Sequence, residues 1–408
     1  MTDLKSGGTS EPRIGVYLCR CKGEISSHMD IDRLAERIRS ISSIGFVGIH
    51  DASCSAEGRQ YLRDECRNKS LTAVVIGACS PEVLEIPLAG ELEEVGLNKY
   101  LVEQVDLREQ CAWVHPDKDE AMEKGVALIR GGVQRVLKME PLEDISFPIL
   151  PAALIIGGSE AGMQAGRDIA AAGFMVYLVE ETEAVAGPCP QGDHLEILTR
   201  SRIEEIDGVF GTRHVKVGTP QGMKAFDVGT ILVAIEPRQM GQKPSSNRTS
   251  CHLDESTASQ ETGRILKILR IRRGLAIASC AKLHRGVAVL VPAPGQACAG
   301  DAIAAAKAAA AEMVHLMRLK TASMPRTIAR VEEFRCRGCG KCKEVCDYGA
   351  ITIVEKEKGE LVARIDELRC EGCGLCRVAC CNGAMALLGY TTTELLANMD
   401  GIVDEVGH

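Results

Sequence analysis

Apolar and polar positions alternate regularly over the first third of the chain. Short apolar runs at residues 13–18, 44–50, 71–77 and 99–105 have strand length. Between them, apolar residues recur with helical period at about 30–41, 56–68 and 81–95, and a fourth such stretch follows at 117–137. Strand and helix in strict alternation predict a parallel sheet with right-handed crossovers. The pattern restarts after Pro148 and Pro151: a strand at 152–156, a helix ending near Ala172, and a second strand at 174–179. A polar, aperiodic stretch at 237–262 reads as a loop, 274–279 as a short strand, and 301–320 as an Ala-rich helix. The last part is built from short strands at 350–354, 361–365 and 384–388, and a helix at 391–403 carries Leu395, Leu396, Met399 and Ile402 on one stripe. That stripe is expected to dock on the last region or on a partner. The predicted class is α/β, in three domains. Residues 13–147 form a parallel-sheet domain, 148–325 a Rossmann-like domain, and 326–408 a small α+β domain.

Cysteine placement supplies the chemistry. The chain has 19 cysteines in 408 residues. Cys336, Cys339, Cys342 and Cys346 form a C-x₂-C-x₂-C-x₃-C run, and Cys370, Cys373, Cys376 and Cys380 repeat it. Three thiolates on a tight loop grip three corners of a cubane, and the fourth ligates the other cluster. Cys336, Cys339, Cys342 and Cys380 are therefore assigned to one [4Fe-4S] cluster, and Cys370, Cys373, Cys376 and Cys346 to the second. Zinc sites typically pair two C-x₂-C units and have no need of the third thiolate, and disulfides need an oxidising compartment. Asp347 and Cys381 stand where a proline usually follows the run. Asp347 should lower the potential nearby, and Cys381 reads as packing.

In the first domain the cysteines follow the predicted strands: Cys19 and Cys21 the first, Cys54 the second, Cys79 the third and Cys111 the fourth. Topology alone thus gathers five thiols at the carboxyl edge of the sheet, where such sheets bind ligands. A third cluster held by four of the five is expected, with the choice between Cys19 and Cys21 open. Cys66 falls inside a helix and reads as core. Trp113 and His115 read as a packed ring and a hydrogen-bonded imidazole.

In the middle domain, G-G-S-E-A-G at 157–162 follows a strand and opens a helix, and Glu180 ends the next strand with Glu181 beside it. This is the dinucleotide-binding unit in outline, with Gly157, Gly158, Ser159 and Gly162 at the phosphate turn and Glu180 and Glu181 at the ribose. It departs from the pattern at Ser159, where glycine is usual, at Glu160, a carboxylate beside the phosphate position, and at Glu236 in V-A-I-E. FAD is accordingly an optional cofactor. Cys189, Cys251, Cys280 and Cys298 have no partner at dithiol spacing, and no catalytic role is assigned to them.

The net charge of −8 and an aromatic content of 3% argue against nucleic acid. No apolar run reaches membrane-span length, and the polar first 13 residues carry no secretory signal. A thiol-rich chain of this kind points to metal in a reducing cytoplasm.

G-V-Y-L-C-R-C at 15–21, A-C-S-P at 78–81, L-R-E-Q-C-A-W-V-H-P at 107–116 and G-M-Q-A-G-R-D-I-A-A-A-G-F-M-V-Y-L-V-E at 162–180 resemble the heterodisulfide reductase A-type family of subunits (HdrA-like), in shortened form. Related subunits occur in quinone-interacting oxidoreductases. The resemblance implies an N-terminal [4Fe-4S] cluster with unusual cysteine spacing. It also implies an FAD segment and electron transfer within a cytoplasmic complex. The implied partners are disulfide-reductase-like iron–sulfur subunits and a small ferredoxin-like input protein, with a homodimer as a further expectation. The family's nicotinamide-type lobe and inserted ferredoxin module have no counterpart here. A competing expectation is a flavin-free wiring hub; a free-standing flavin reductase would need the absent lobe.

Overall fold

The computed structural model describes residues 13–187, 193–234, 265, 285–290, 299–356 and 359–403. Its packing divides the chain into two units, Met1–Glu143 with Ala386–His408, and Asp144–Met385.

In the first unit β1 (Ile14–Cys19), α1 (Ile31–Ile38), β2 (Ile44–His50), α2 (Ala56–Asn68), β3 (Ala73–Ala78), α3 (Pro81–Glu93), β4 (Val102–Asp106) and α4 (Lys118–Val136) alternate as the pattern predicts. The strands pair in parallel in the order β2-β1-β3-β4. Every residue of β1 and β3 is buried, as central strands covered on both faces must be. One face packs Leu34, Ile38, Met122, Val126 and Ile129 from α1 and α4. The other packs Leu62, Cys66, Leu88 and Leu92 from α2 and α3. The helices begin on acceptor side chains: Asp30 takes the amides of Asp32 and Arg33, Ser55 that of Gly58, and Asp117 those of Asp119 and Glu120. The strand order reverses between β1 and β3, which opens a crevice at their carboxyl ends.

The C-terminal helix, Thr392–Val403, belongs to this first unit and packs along α4, not on the cysteine-rich region that precedes it. Small residues allow the close approach: a Cβ on Gly401 would lie 2.9 Å from the Cα of Gly131. Arg130 Nε donates to the Gly401 carbonyl at 2.6 Å, and Arg135 Nη2 to that of Gly389 at 2.9 Å. The expected apolar stripe is therefore not the seat. Ile402 meets Gly131, whereas Leu395, Leu396 and Met399 are 46%, 51% and 59% exposed.

The second unit begins with β5 (Ile145–Pro148). The strands β6 (Ala152–Ile156), β7 (Met175–Val179), β8 (Leu195–Leu198), β12 (Thr230–Val233) and β13 (Val287–Val289) form a parallel sheet ordered β13-β12-β6-β7-β8. This is the doubly wound order, with its reversal between β6 and β12. Helices α5 (Glu160–Ala171) and α6 (Ala299–Leu319) pack against each other. Between β8 and β12 the chain makes an antiparallel meander, β9 (Arg202–Val209), β10 (Thr212–Thr219) and β11 (Gly222–Val228). After α6, β14 (Thr321–Met324) pairs antiparallel with β5. The cysteine-rich region follows, with an antiparallel pair, Ile351–Glu355 and Leu361–Ile365, and two short helices, Lys341–Glu344 and Leu375–Ala379. Glu236, the 237–262 loop, the 274–279 strand, Cys189, Cys251, Cys280 and Cys298 lie outside the described residues. Among the described residues no helix is long and apolar enough to cross a membrane.

Candidate iron–sulfur centres and the glycine turn

Two hollows in the cysteine-rich region are lined by four thiols apiece. Cys336, Cys339, Cys342 and Cys380 line the first, and Cys370, Cys373, Cys376 and Cys346 the second. The fourth thiol of each run thus stands in the other run's cavity. Backbone amides point at the sulfurs symmetrically. Ala363 and Ala384 donate to Cys336 and Cys380 at 3.4 and 3.3 Å, and Ala329 and Ala350 donate to Cys370 and Cys346 at 3.4 and 3.3 Å. Such donors stabilise a thiolate over a thiol. Gly338 adopts φ +62°, and a Cβ there would lie 2.3 Å from that of Leu361, so only glycine closes this loop. Burial is the main reason the Cys376 thiol is pushed up to about 11, with Cys370 and Cys373 adding to it. Ligation must therefore displace protons.

The donor set, four thiols around each hollow, fits a polynuclear cluster. A single zinc would need all its sulfurs about 2.3 Å from one centre. Among the described residues no three His, Cys, Asp or Glu side chains are so placed, and the two thiol sets ring cavities instead. Cys381 is exposed, not packed as its sequence position suggests.

In the first unit Cys19, Cys21, Cys54, Cys79 and Cys111 all follow strand ends. Cys19 Sγ accepts the amides of Cys21 and Ser53 at 3.3 and 3.4 Å. The Cys21 thiol is pushed up by burial first and then by Cys19 and Cys54, against the pull of Arg108, whose Nη1 lies 3.5 Å from its sulfur. Burial pushes Cys79 up to about 11, with Cys21 contributing and Arg108 opposing. Cys19, Cys21, Cys54 and Cys79 thus share one neighbourhood, beside the crevice between β1 and β3. Cys111 is fully buried in the core under α4, and its thiol donates to the Ala121 carbonyl at 2.9 Å. Cys66 is core, as read. His115 Nδ1 lies 2.9 Å from the Cys111 carbonyl oxygen, but Trp113 is not packed: it is 51% exposed beneath the Arg108 guanidinium. Sequence reasoning passed over Arg108, although it is the second residue after β4 at the same edge that collects the thiols.

The glycine turn after β6 has the backbone of a dinucleotide site. Gly157 adopts φ +112°, and a Cβ on Gly162 would lie 2.2 Å from the Gly157 carbonyl oxygen, the close helix–strand approach of the motif. Its polar groups are turned inward, however. Ser159 caps α5 by accepting the Gly162 amide at 3.2 Å, and its hydroxyl donates to the Ala234 carbonyl at 2.9 Å. The Glu180 carboxylate, placed to meet a ribose, accepts the Gly158 amide at 2.7 Å and the Thr182 amide at 2.8 Å. Val185 fills the space over Gly158, where a Cβ would lie 2.6 Å from its methyl. Glu181 faces Arg202 at 3.3 Å. The scaffold fits a dinucleotide; the side chains fit it incompletely.

Comparison with known proteins agrees with the iron–sulfur half of this picture. Residues 335–384 match the family described as "4Fe-4S dicluster domain". A protein of Archaeoglobus profundus that is like the A-type subunit of heterodisulfide reductase is 31% identical over 54% of this chain and 35% of its own length. The A-type subunit of the H(2):CoB-CoM heterodisulfide,ferredoxin reductase of Methanothermobacter thermautotrophicus is 32% identical over 53% of this chain and 36% of its own. The A-type subunit of the ferredoxin:CoB-CoM heterodisulfide reductase of Methanosarcina acetivorans is 36% identical over 43% of this chain and 22% of its own. The chain therefore spans about a third or less of the length of these relatives. Among solved structures, thioredoxin reductase from Streptococcus pyogenes aligns over 76% of this chain and 100% of its own at 10% identity and a TM-score of 0.22, too slight a likeness to argue from. Over about half its length, this chain is similar to the A-type subunit of heterodisulfide reductase, and it carries a 4Fe-4S dicluster domain at residues 335–384.

Proposed function

We propose that the chain is an electron-transfer subunit of a heterodisulfide-reductase-like complex working in the cytoplasm. The observation that carries the reading is the pair of four-thiol cavities with exchanged fourth ligands. Cys336, Cys339, Cys342 and Cys380 would hold one [4Fe-4S] cluster, and Cys370, Cys373, Cys376 and Cys346 another. Cys19, Cys21, Cys54 and Cys79, gathered at the carboxyl edge of the first sheet with Cys21 interacting with each of the other three, are the set best placed for a third. Such clusters supply one-electron transfer. The chain's residues present the thiolates, aim amides at four of the sulfurs and fix the loops. Partners are the iron–sulfur and flavin subunits of such a complex, with a homodimer as one assembly. Iron and sulfide counts with electron-spin spectra of reduced, anaerobic protein test the reading: two or three clusters per chain are expected, and zinc or empty thiols would overturn it.

The second reading, a wiring hub without flavin, is favoured by the inward bonding of Ser159 and Glu180. Flavin released on denaturation separates the two. One FAD per chain would place Gly157, Gly158, Ser159, Gly162, Glu180 and Glu181 around it, and none would leave the lobe as a scaffold.

A further inference from the structure

Within the second unit, Arg285 reaches the loop that lines the second thiol cavity, and Arg213 of the antiparallel meander stands behind it. Arg285, just before β13, donates from Nη1 to the Leu368 carbonyl at 3.0 Å and from Nη2 to the Cys370 carbonyl at 2.8 Å. Its Nε faces the Glu371 carboxylate at 2.9 Å, both side chains being 19% exposed. Behind it, Arg213 of β10 donates from Nη2 to the Arg285 carbonyl at 2.8 Å, while its buried Nη1 has no hydrogen-bond partner among the described residues. Burial, with Arg285 beside it, depresses the Arg213 guanidinium to about 10 against the pull of Glu371.

Cys370 and Glu371 line the second cavity; the corresponding position in the first loop is Arg337, which lines the first. The second loop thus carries an acid where the first carries a base. That acid is offset by charge borrowed from another part of the fold: the Arg285 guanidinium faces it at 2.9 Å, while the loop's own Arg369 is taken up by Asp366 and Asp207. A reduced cluster is more negative by one electron, so nearby positive charge favours reduction.

We propose that Arg285, backed by Arg213, is a positioning residue for the second thiol cavity: it fixes the loop at Leu368–Glu371 and raises the potential of the cluster held there, leaving that of the first unaltered. The proposal rests on the cubane reading. That reading fails if the unaltered chain holds no iron, whereas this proposal is judged by potentials in a chain that does. The test is a redox titration of the anaerobic full chain followed by electron-spin resonance. R285Q is expected to lower one cluster's potential and leave the others unchanged; E371Q is expected to raise that same potential. R285K, which keeps the charge without the two-carbonyl fork, is expected to stay nearer the unaltered chain than R285Q does. The proposal is overturned if R285Q and E371Q move the potential in the same direction, if all the potentials move together, or if none moves. Should R285Q fail to retain its iron, E371Q and R285K decide: a raised single potential in E371Q supports the proposal, and an unmoved one sinks it.

Discussion

Cys346 and Cys380 each line the cavity of the run they do not belong to. C380S is therefore expected to cost the cluster anchored by Cys336, Cys339 and Cys342, with a loss of about four irons, and C346S the other; iron analysis with spin quantitation reads both. C54S and C79S should likewise lower iron by about four per chain if the first sheet edge holds a cluster. Away from the thiol sites, Cys66 and Tyr17 are both raised chiefly by burial. A group raised in the fold keeps its proton where the unfolded chain has released it. The stability it confers is full below the ordinary thiol value of 9.0 and declines as pH rises past it. Urea midpoints should therefore fall between about pH 8 and about pH 10.5, and less steeply in C66V. The Tyr17 hydroxyl is buried with no partner among the described residues, so Y17F should be neutral or stabilise by up to about 1 kcal/mol in the same assay.

The C-terminal helix meets α4 where Gly401 and Gly131 almost touch. G401V forces the two helices apart and should cost about 1–3 kcal/mol, seen as a lower melting temperature and earlier proteolysis of the helix. Element by element, the strands and helices of the first sheet were legible, because period-2 and period-3.6 runs there are separated by polar residues. The glycine turn and the cysteine runs were legible because motif spacing is local. The meander β9–β11 was not. Its alternation is blurred by charged edge positions. The seat of the C-terminal helix was missed for a physical reason: small residues carry the contact by letting backbones approach, and the apolar stripe that suggested docking faces solvent. The Arg285 clamp joins residues more than eighty positions apart and leaves no local trace. The thiol neighbourhood at the first sheet edge was legible as a group of five, but that Cys111 turns toward Ala121 could come only from the packing under α4.

At the scale of the whole molecule, the chain leaves its first unit after Glu143 and returns to it at Ala386. Ending the chain near residue 390 removes the helix on α4 but leaves every cysteine of the two runs. Such a truncation should lower the melting temperature of the first unit while the spectrum of the two C-terminal clusters persists; scanning calorimetry beside spin resonance would show it. The exchanged fourth cysteines also bear on biogenesis. Neither socket is whole until both halves of the dicluster domain have come together, so the first inorganic core to be installed staples the halves and prepares the berth for the second. Loading should then be close to all-or-nothing. Native mass spectra of partly reconstituted chains would show molecules with both berths filled beside molecules with neither, and few stranded between.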